Sequence, residues 1–211
     1  MVKIKICGIT SLDDARLAIE SGADMLGFNF YHPSPRFIEP TKAREIIDGI
    51  KSETEFVAVG IFVDEPLESL IETVRTSGVD AVQLHGDESV RYCADLRSSL
   101  NGITIIKALR VNDSFQPAAA ASYPVEAIML DAFHDNLRGG TGKTIDWEIA
   151  RKTRELVPQL FLSGGLSPEN VAEAIERVQP YAVDACSRLE LSPGQKDPSR
   201  MTAFVRAACS G

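Results

Sequence analysis

Short apolar runs alternate with amphipathic stretches from one end of the chain to the other. The runs near residues 2–6, 25–30, 55–63, 81–85, 104–109, 127–132, 160–163 and 182–187 are rich in Val, Ile, Leu and Phe and carry few charges. Strict two-residue alternation is rare, so these runs predict parallel strands covered on both faces rather than an exposed antiparallel sheet. The stretches between them carry helix signals. Ser11 precedes Asp13 and Asp14 and leads to a stop at Gly22, an N-cap with acids in the first turn and a glycine end. Ser77-Gly78 repeats that ending, and Pro66 and Pro168 are expected just inside their helices, where a missing N–H costs nothing. Units of about 25 residues recur, and eight of them fill the chain. Residues 1–211 therefore read as one α/β domain, a single (β/α)8 TIM barrel. A doubly wound open sheet is the alternative, but no nucleotide fingerprint follows the first strand.

Composition narrows what such a barrel does. No apolar run reaches the ~20 residues that span a bilayer, and the start lacks a signal-peptide pattern; a cytoplasmic enzyme with no membrane partner is expected. A net charge of −8 argues against nucleic acid, which is bound chiefly through basic surface. Cys7, Cys93, Cys186 and Cys209 are scattered without a C-x-x-C pair, so neither a metal site nor structural disulfides are expected. Monomer and homodimer both stay open.

Chemistry in a barrel sits where strands end and helices begin. Strand one ends on Cys7-Gly8, either a small buried hydrophobe or a thiolate at the mouth. The second loop, Pro33-Ser34-Pro35-Arg36, is stiffened by two prolines and presents a guanidinium that suits a carboxylate. His85 ends strand four as an acid–base or a structural imidazole. Lys107 in strand five invites a Schiff-base reading, which requires an inward, desolvated amine. Asp131 follows an apolar run, where a carboxylate is costly unless paired or used. The Gly139-Gly140-Thr141-Gly142-Lys143-Thr144 segment is not a P-loop, because position 137 is leucine where that motif needs glycine. Gly164-Gly165 after strand seven, opening onto a helix start, and Ser187-Arg188 after strand eight predict a phosphate site.

In order and spacing these segments resemble phosphoribosylanthranilate isomerase. The resemblance runs through Lys5-Ile6-Cys7-Gly8-Ile9-Thr10, Ser34-Pro35-Arg36-Phe37-Ile38, Val82-Gln83-Leu84-His85-Gly86, Leu130-Asp131, Gly139–Lys143, Leu162-Ser163-Gly164-Gly165-Leu166 and Ser192-Pro193-Gly194-Gln195-Lys196-Asp197. It implies a cofactor-free Amadori rearrangement of a small phosphorylated substrate, with Asp131 as general acid and Cys7 as general base. It implies Arg36 on the anthranilate carboxylate, with His85 among the substrate-binding residues. Gly140, Gly142, Gly164, Gly165, Ser187 and Arg188 would hold the phosphate. One position departs from the pattern: the family usually reads Ser-Gly-Val-Glu where this chain has Ser187-Arg188-Leu189-Glu190, so Arg188 is expected either to touch phosphate or to fold outward. Other ribulose-phosphate barrels and a non-catalytic phosphometabolite-binding barrel remain the rival readings; a histidine/tryptophan bifunctional isomerase would use an aspartate where Cys7 stands.

Overall fold

The computed structural model describes residues 1–112, 114–132 and 146–210. Eight parallel strands close into a barrel in chain order: β1 Lys3–Cys7, β2 Met25–Asn29, β3 Val57–Phe62, β4 Ala81–Leu84, β5 Thr104–Val111, β6 Ala127–Ala132, β7 Leu160–Leu162 and β8 Ala182–Ala185. Closure is made by β1 against β8, with Ile6 opposite Ala185. Helices α1 Leu12–Ser21, α2 Pro40–Lys51, α3 Leu67–Ser77, α4 Val90–Ser99, α5 Pro117–Ala120, α6 Trp147–Arg154, α7 Val171–Val178 and α8 Pro198–Ser210 cover the outside. A hairpin, β9 Glu190–Ser192 with β10 Gln195–Lys196, follows β8. The expected TIM barrel is the observed fold.

Two cores hold it together. Residues facing out of the strands, such as Ile4, Ile6, Leu26, Phe28, Val82 and Leu84, pack against the helices. A second cluster fills the barrel itself with Met25, Val59, Ala81, Ile106, Met129, Phe161 and Ala182. Side chains alternate in a strand, so one step of two beyond these inner residues reaches the mouth. On β4, β6, β7 and β8 that step lands on Gln83, Asp131, Ser163 and Asp184, and on β1 the same row runs from Lys5 to Cys7. The outer core is mainly apolar, with the paired Lys107 and Glu88 among its few buried polar groups, whereas the inner one turns polar at one end.

Local signals hold with two corrections. Ser11 caps α1 by accepting from the Asp14 N–H at 3.1 Å, and Gly22 closes it at φ 106°. Pro66 is the N-cap of α3 rather than its first helical residue. Pro168 lies in a turn, because the Asn170 and Val171 N–H groups both close back onto the Ser167 carbonyl and α7 starts only at Val171. Helix α7 thus begins further from Gly165 than its sequence suggests. β5 runs on to Val111 because Arg110 and Val111 continue the ladder to Asp131 and Ala132.

Candidate active site

A cavity of about 290 Å³ opens at the C-terminal mouth of the barrel. Cys7, Arg36, His85, Asp131, Gly164, Gly165, Ser187 and Arg188 all line it. Eight of the ten residues singled out from sequence therefore meet in one place; Gly140 and Gly142 lie outside the described residues.

The β1 and β8 side is ionic. Lys5, fully buried beneath Cys7, donates to Asp184 at 2.6 Å, and Asp184 also accepts from the Ser163 hydroxyl at 3.0 Å. Burial alone would depress the Lys5 ammonium, but Asp184 and Cys7 outweigh it and hold its pKa above the usual lysine range. Cys7 hydrogen-bonds the Cys186 thiol, and that contact, helped by the charges of Lys5 and Lys196 and opposed by burial and Asp184, brings its pKa down to about 6. Cys186 moves the opposite way: its bond to Cys7 and its burial push it well above the ordinary thiol value. The two opposite shifts favour a proton on Cys186 over one on Cys7. Gly27 makes room for this sulfur, since a Cβ there would lie 2.8 Å from Cys7 Sγ. Gly8, at φ 77°, lets the chain turn between Arg36 and Cys186.

Arg36 is aimed by its loop. Ser34 accepts from the Arg36 N–H at 3.1 Å, and the Ile38 N–H returns to the Asn29 carbonyl at 3.0 Å. Its guanidinium grips Glu190 side-on, with Nε at 2.9 Å from Oε1 and Nη2 at 2.6 Å from Oε2. Glu190 also accepts from buried Lys196 at 2.9 Å, its cross-strand partner in the β9–β10 hairpin. Burial would raise the Glu190 pKa, but Arg36 and Lys196 bring it below the usual value. Side-on pairing uses the Nε edge, so the Nη1 end of the fork is the one left for another carboxylate.

The β4 and β6 side is sparse. Asp131 sits 3.1 Å from His85 Nε2, and His85 Nδ1 sits 2.8 Å from the Gln83 amide nitrogen. Burial would lower the His85 pKa, but its bond to Asp131 and that charge raise it. An amide nitrogen only donates, so the ring proton in this arrangement is on Nε2, facing Asp131. Gln83 Oε1 is buried without a partner. A half-turn of the amide would bring that oxygen to Nδ1 and suit the doubly protonated ring.

Lys107 is not a free amine. It is buried and donates to the Gly86 carbonyl at 2.9 Å and to Glu88 at 2.7 Å, pinning the loop that carries His85. The Schiff-base reading is therefore set aside. Sequence reasoning passed over Lys5, Gln83, Ser163, Asp184, Cys186, Glu190 and Lys196. The first five lie on the two-residue rows that lead to the mouth. Glu190 and Lys196 are legible only from the hairpin register.

A (β/α)8 barrel whose candidate chemistry gathers at its C-terminal mouth has the architecture of a TIM-barrel enzyme, with the active site at that face. Comparison with known proteins specifies which. The family model for N-(5'-phosphoribosyl)anthranilate (PRA) isomerase matches residues 4–207. The N-(5'-phosphoribosyl)anthranilate isomerase of Geobacter metallireducens is 44% identical over 208 residues, 99% of both chains. The phosphoribosyl anthranilate isomerase of Thermotoga maritima superposes with a TM-score of 0.91 at 39% identity, covering 100% of both chains. A phosphoribosyl anthranilate isomerase solved in complex with reduced 1-(o-carboxyphenylamino)-1-deoxyribulose 5-phosphate gives 0.87 at 38% identity, again over 100% of both. The chain belongs to the phosphoribosylanthranilate isomerase family and is an isomerase of tryptophan biosynthesis.

Proposed function

We propose that this cavity converts N-(5-phospho-β-D-ribosyl)anthranilate to 1-(2-carboxyphenylamino)-1-deoxyribulose 5-phosphate, with Asp131 as acid and Cys7 as base. The observation that carries the assignment is their separation into two unlike environments lining a single cavity. Asp131 gives its proton to the furanose ring oxygen; the C1–O bond breaks as the anilino nitrogen forms a Schiff base. His85, 3.1 Å away, is the neighbour able to return a proton to Asp131. The Cys7 thiolate then removes the C2 proton, the electron pair moves into the C1–C2 bond, and the enolamine tautomerises to the ketone. A thiol brought down to about 6 is mostly thiolate at neutral pH, so the base is ready without a prior proton transfer.

Arg36 receives the anthranilate carboxylate through the end of its fork while Glu190 holds the other edge. Gly164-Gly165 and Ser187-Arg188 receive the phosphate. Gly164 and Gly165 stand at φ 87° and 73°, a run that lets backbone N–H groups turn toward an anion. Arg188 is exposed at the cavity rim, and its carbonyl is tied to Arg200 Nε at 2.6 Å; it adds a cation where the family's glycine adds only backbone. Four free cysteines suit a reducing cytosol. No helix among the described residues is long and apolar enough to cross a membrane.

Turnover of freshly generated phosphoribosylanthranilate tests the roles. Cys7→Ser and Asp131→Asn should each lower kcat by about a hundredfold or more, with unchanged circular dichroism. Near-normal turnover in either variant removes that residue from the mechanism.

A further inference from the structure

Cys186 exchanges no proton with substrate in the rearrangement, yet it is placed against the one sulfur that does and helps hold that sulfur's pKa down. Ile6 and Ala185 are register partners where β1 meets β8, so Cys7 and Cys186 are the next pair along that seam. Adjacent parallel strands lie about 4.8 Å apart, within the ~4.4–6.8 Å that a disulfide spans between Cα atoms. Both side chains turn inward and both line the cavity. Lys196 Nζ lies 3.9 Å from Cys186 Sγ, which places a cation beside any negative charge that develops there.

We propose that Cys7 and Cys186 form a hydroperoxide-sensitive thiol pair, closing reversibly to a disulfide that removes the base and halts turnover. The halt rests on the reading of Cys7 as base; the bond itself does not. The Cys7 thiolate attacks the distal oxygen of hydrogen peroxide, the O–O bond breaks, and hydroxide leaves to take up a proton as water. Cys7 is now a sulfenic acid, oxidised by two electrons. Cys186 sulfur attacks it, the S–OH bond breaks, and the Cys186 proton leaves with that oxygen as a second water. A dithiol reductant reverses the bond by exchange and recovers both thiols. Cys7 meets the requirement for the first step, since the thiolate is the reactive form and about 6 leaves it deprotonated. Cys186, next to it, meets the requirement for the second and spares Cys7 from irreversible oxidation. Cys93, on the buried face of α4, and Cys209, exposed on α8, have no place in this chemistry.

The test is stepwise hydrogen peroxide on the purified enzyme in a Cys209→Ser background, followed by alkylation, peptide mass spectrometry and turnover before and after dithiothreitol. A linked peptide joining Cys7 to Cys186, lighter by two hydrogens, should grow as turnover falls in proportion, and dithiothreitol should restore both. Cys186→Ser and Cys186→Ala, each compared with its own starting rate, should form no link. In them Cys7 should react with dimedone and then gain two oxygens, with turnover lost beyond recovery. No Cys7–Cys186 link in the wild type, or recovery by dithiothreitol in both Cys186 variants, overturns the pair. A link that forms without loss of turnover leaves the pair standing and overturns Cys7 as the base.

Discussion

The two sides of the barrel mouth solve opposite problems with unequal means. At β1 and β8, Cys7 is surrounded by Lys5, Asp184, Cys186 and Lys196, with Arg36 and Glu190 one contact further out. At β4 and β6, Asp131 has His85, and His85 has Gln83. A thiol begins near 8.5 and loses most of its proton at neutral pH only if cations and a hydrogen-bond donor compensate burial. A carboxyl begins as an anion and needs instead a neighbour that hands it a proton. On the proposed roles, the crowded side would stabilise a charge and the sparse side would pass a proton.

The largest effect that separates the sides is the step at which each variant stops. Asp131→Asn should fail before ring opening, and Cys7→Ala after it, each with a loss of about a hundredfold or more. Borohydride added during turnover should trap an open-chain imine on Cys7→Ala and none on Asp131→Asn; trapping in neither variant breaks the division of labour. Arg36→Met removes a charge-assisted fork worth about 1.5–3 kcal/mol, so KM should rise roughly tenfold to a hundredfold with kcat changed far less. A matching fall in kcat would place Arg36 in the chemical step.

The pH profile sharpens the comparison further. The base form of Cys7 is its thiolate, so kcat/KM should rise with pH through about 6 and then level. Lys196→Met withdraws a cation that lowers the Cys7 pKa, so its limb should move to higher pH; a limb that stays in place shows that Lys196 serves only the hairpin. The smallest effect is expected at the rim. Arg188→Gly should raise KM by about two- to threefold, as an exposed ionic contact of ~0.5 kcal/mol allows, with a shallower dependence on salt. Unchanged KM would mean that Arg188 folds outward.

The contrast also explains what was readable in the chain itself. Cys7, Arg36, His85 and Asp131 stand at strand ends or in a proline-stiffened loop, and position alone marks them. Lys5 and Gln83 lie inside strands, where a polar residue in an apolar run reads as an exception until strand closure turns it inward. Counting two residues back from Cys7 gives Lys5, and two back from His85 gives Gln83, so these partners were legible once the inner row was known. Glu190 and Lys196 were not, because a tight antiparallel hairpin after an eighth parallel strand carries its own register. The eight strands were legible because each is a short Val, Ile, Leu or Phe run between helix signals. Helix starts were less so: proline at 66 and 168 is as compatible with a cap or a turn as with a first helical residue.

The central claim is that the β1 side exists to hold Cys7 as a thiolate, and the rate of iodoacetamide alkylation at Cys7, followed by peptide mass spectrometry across pH, measures it without substrate. The rate should climb through a midpoint of about 6 and then flatten. A midpoint near 8.5, the value of an unassisted thiol, would contradict it.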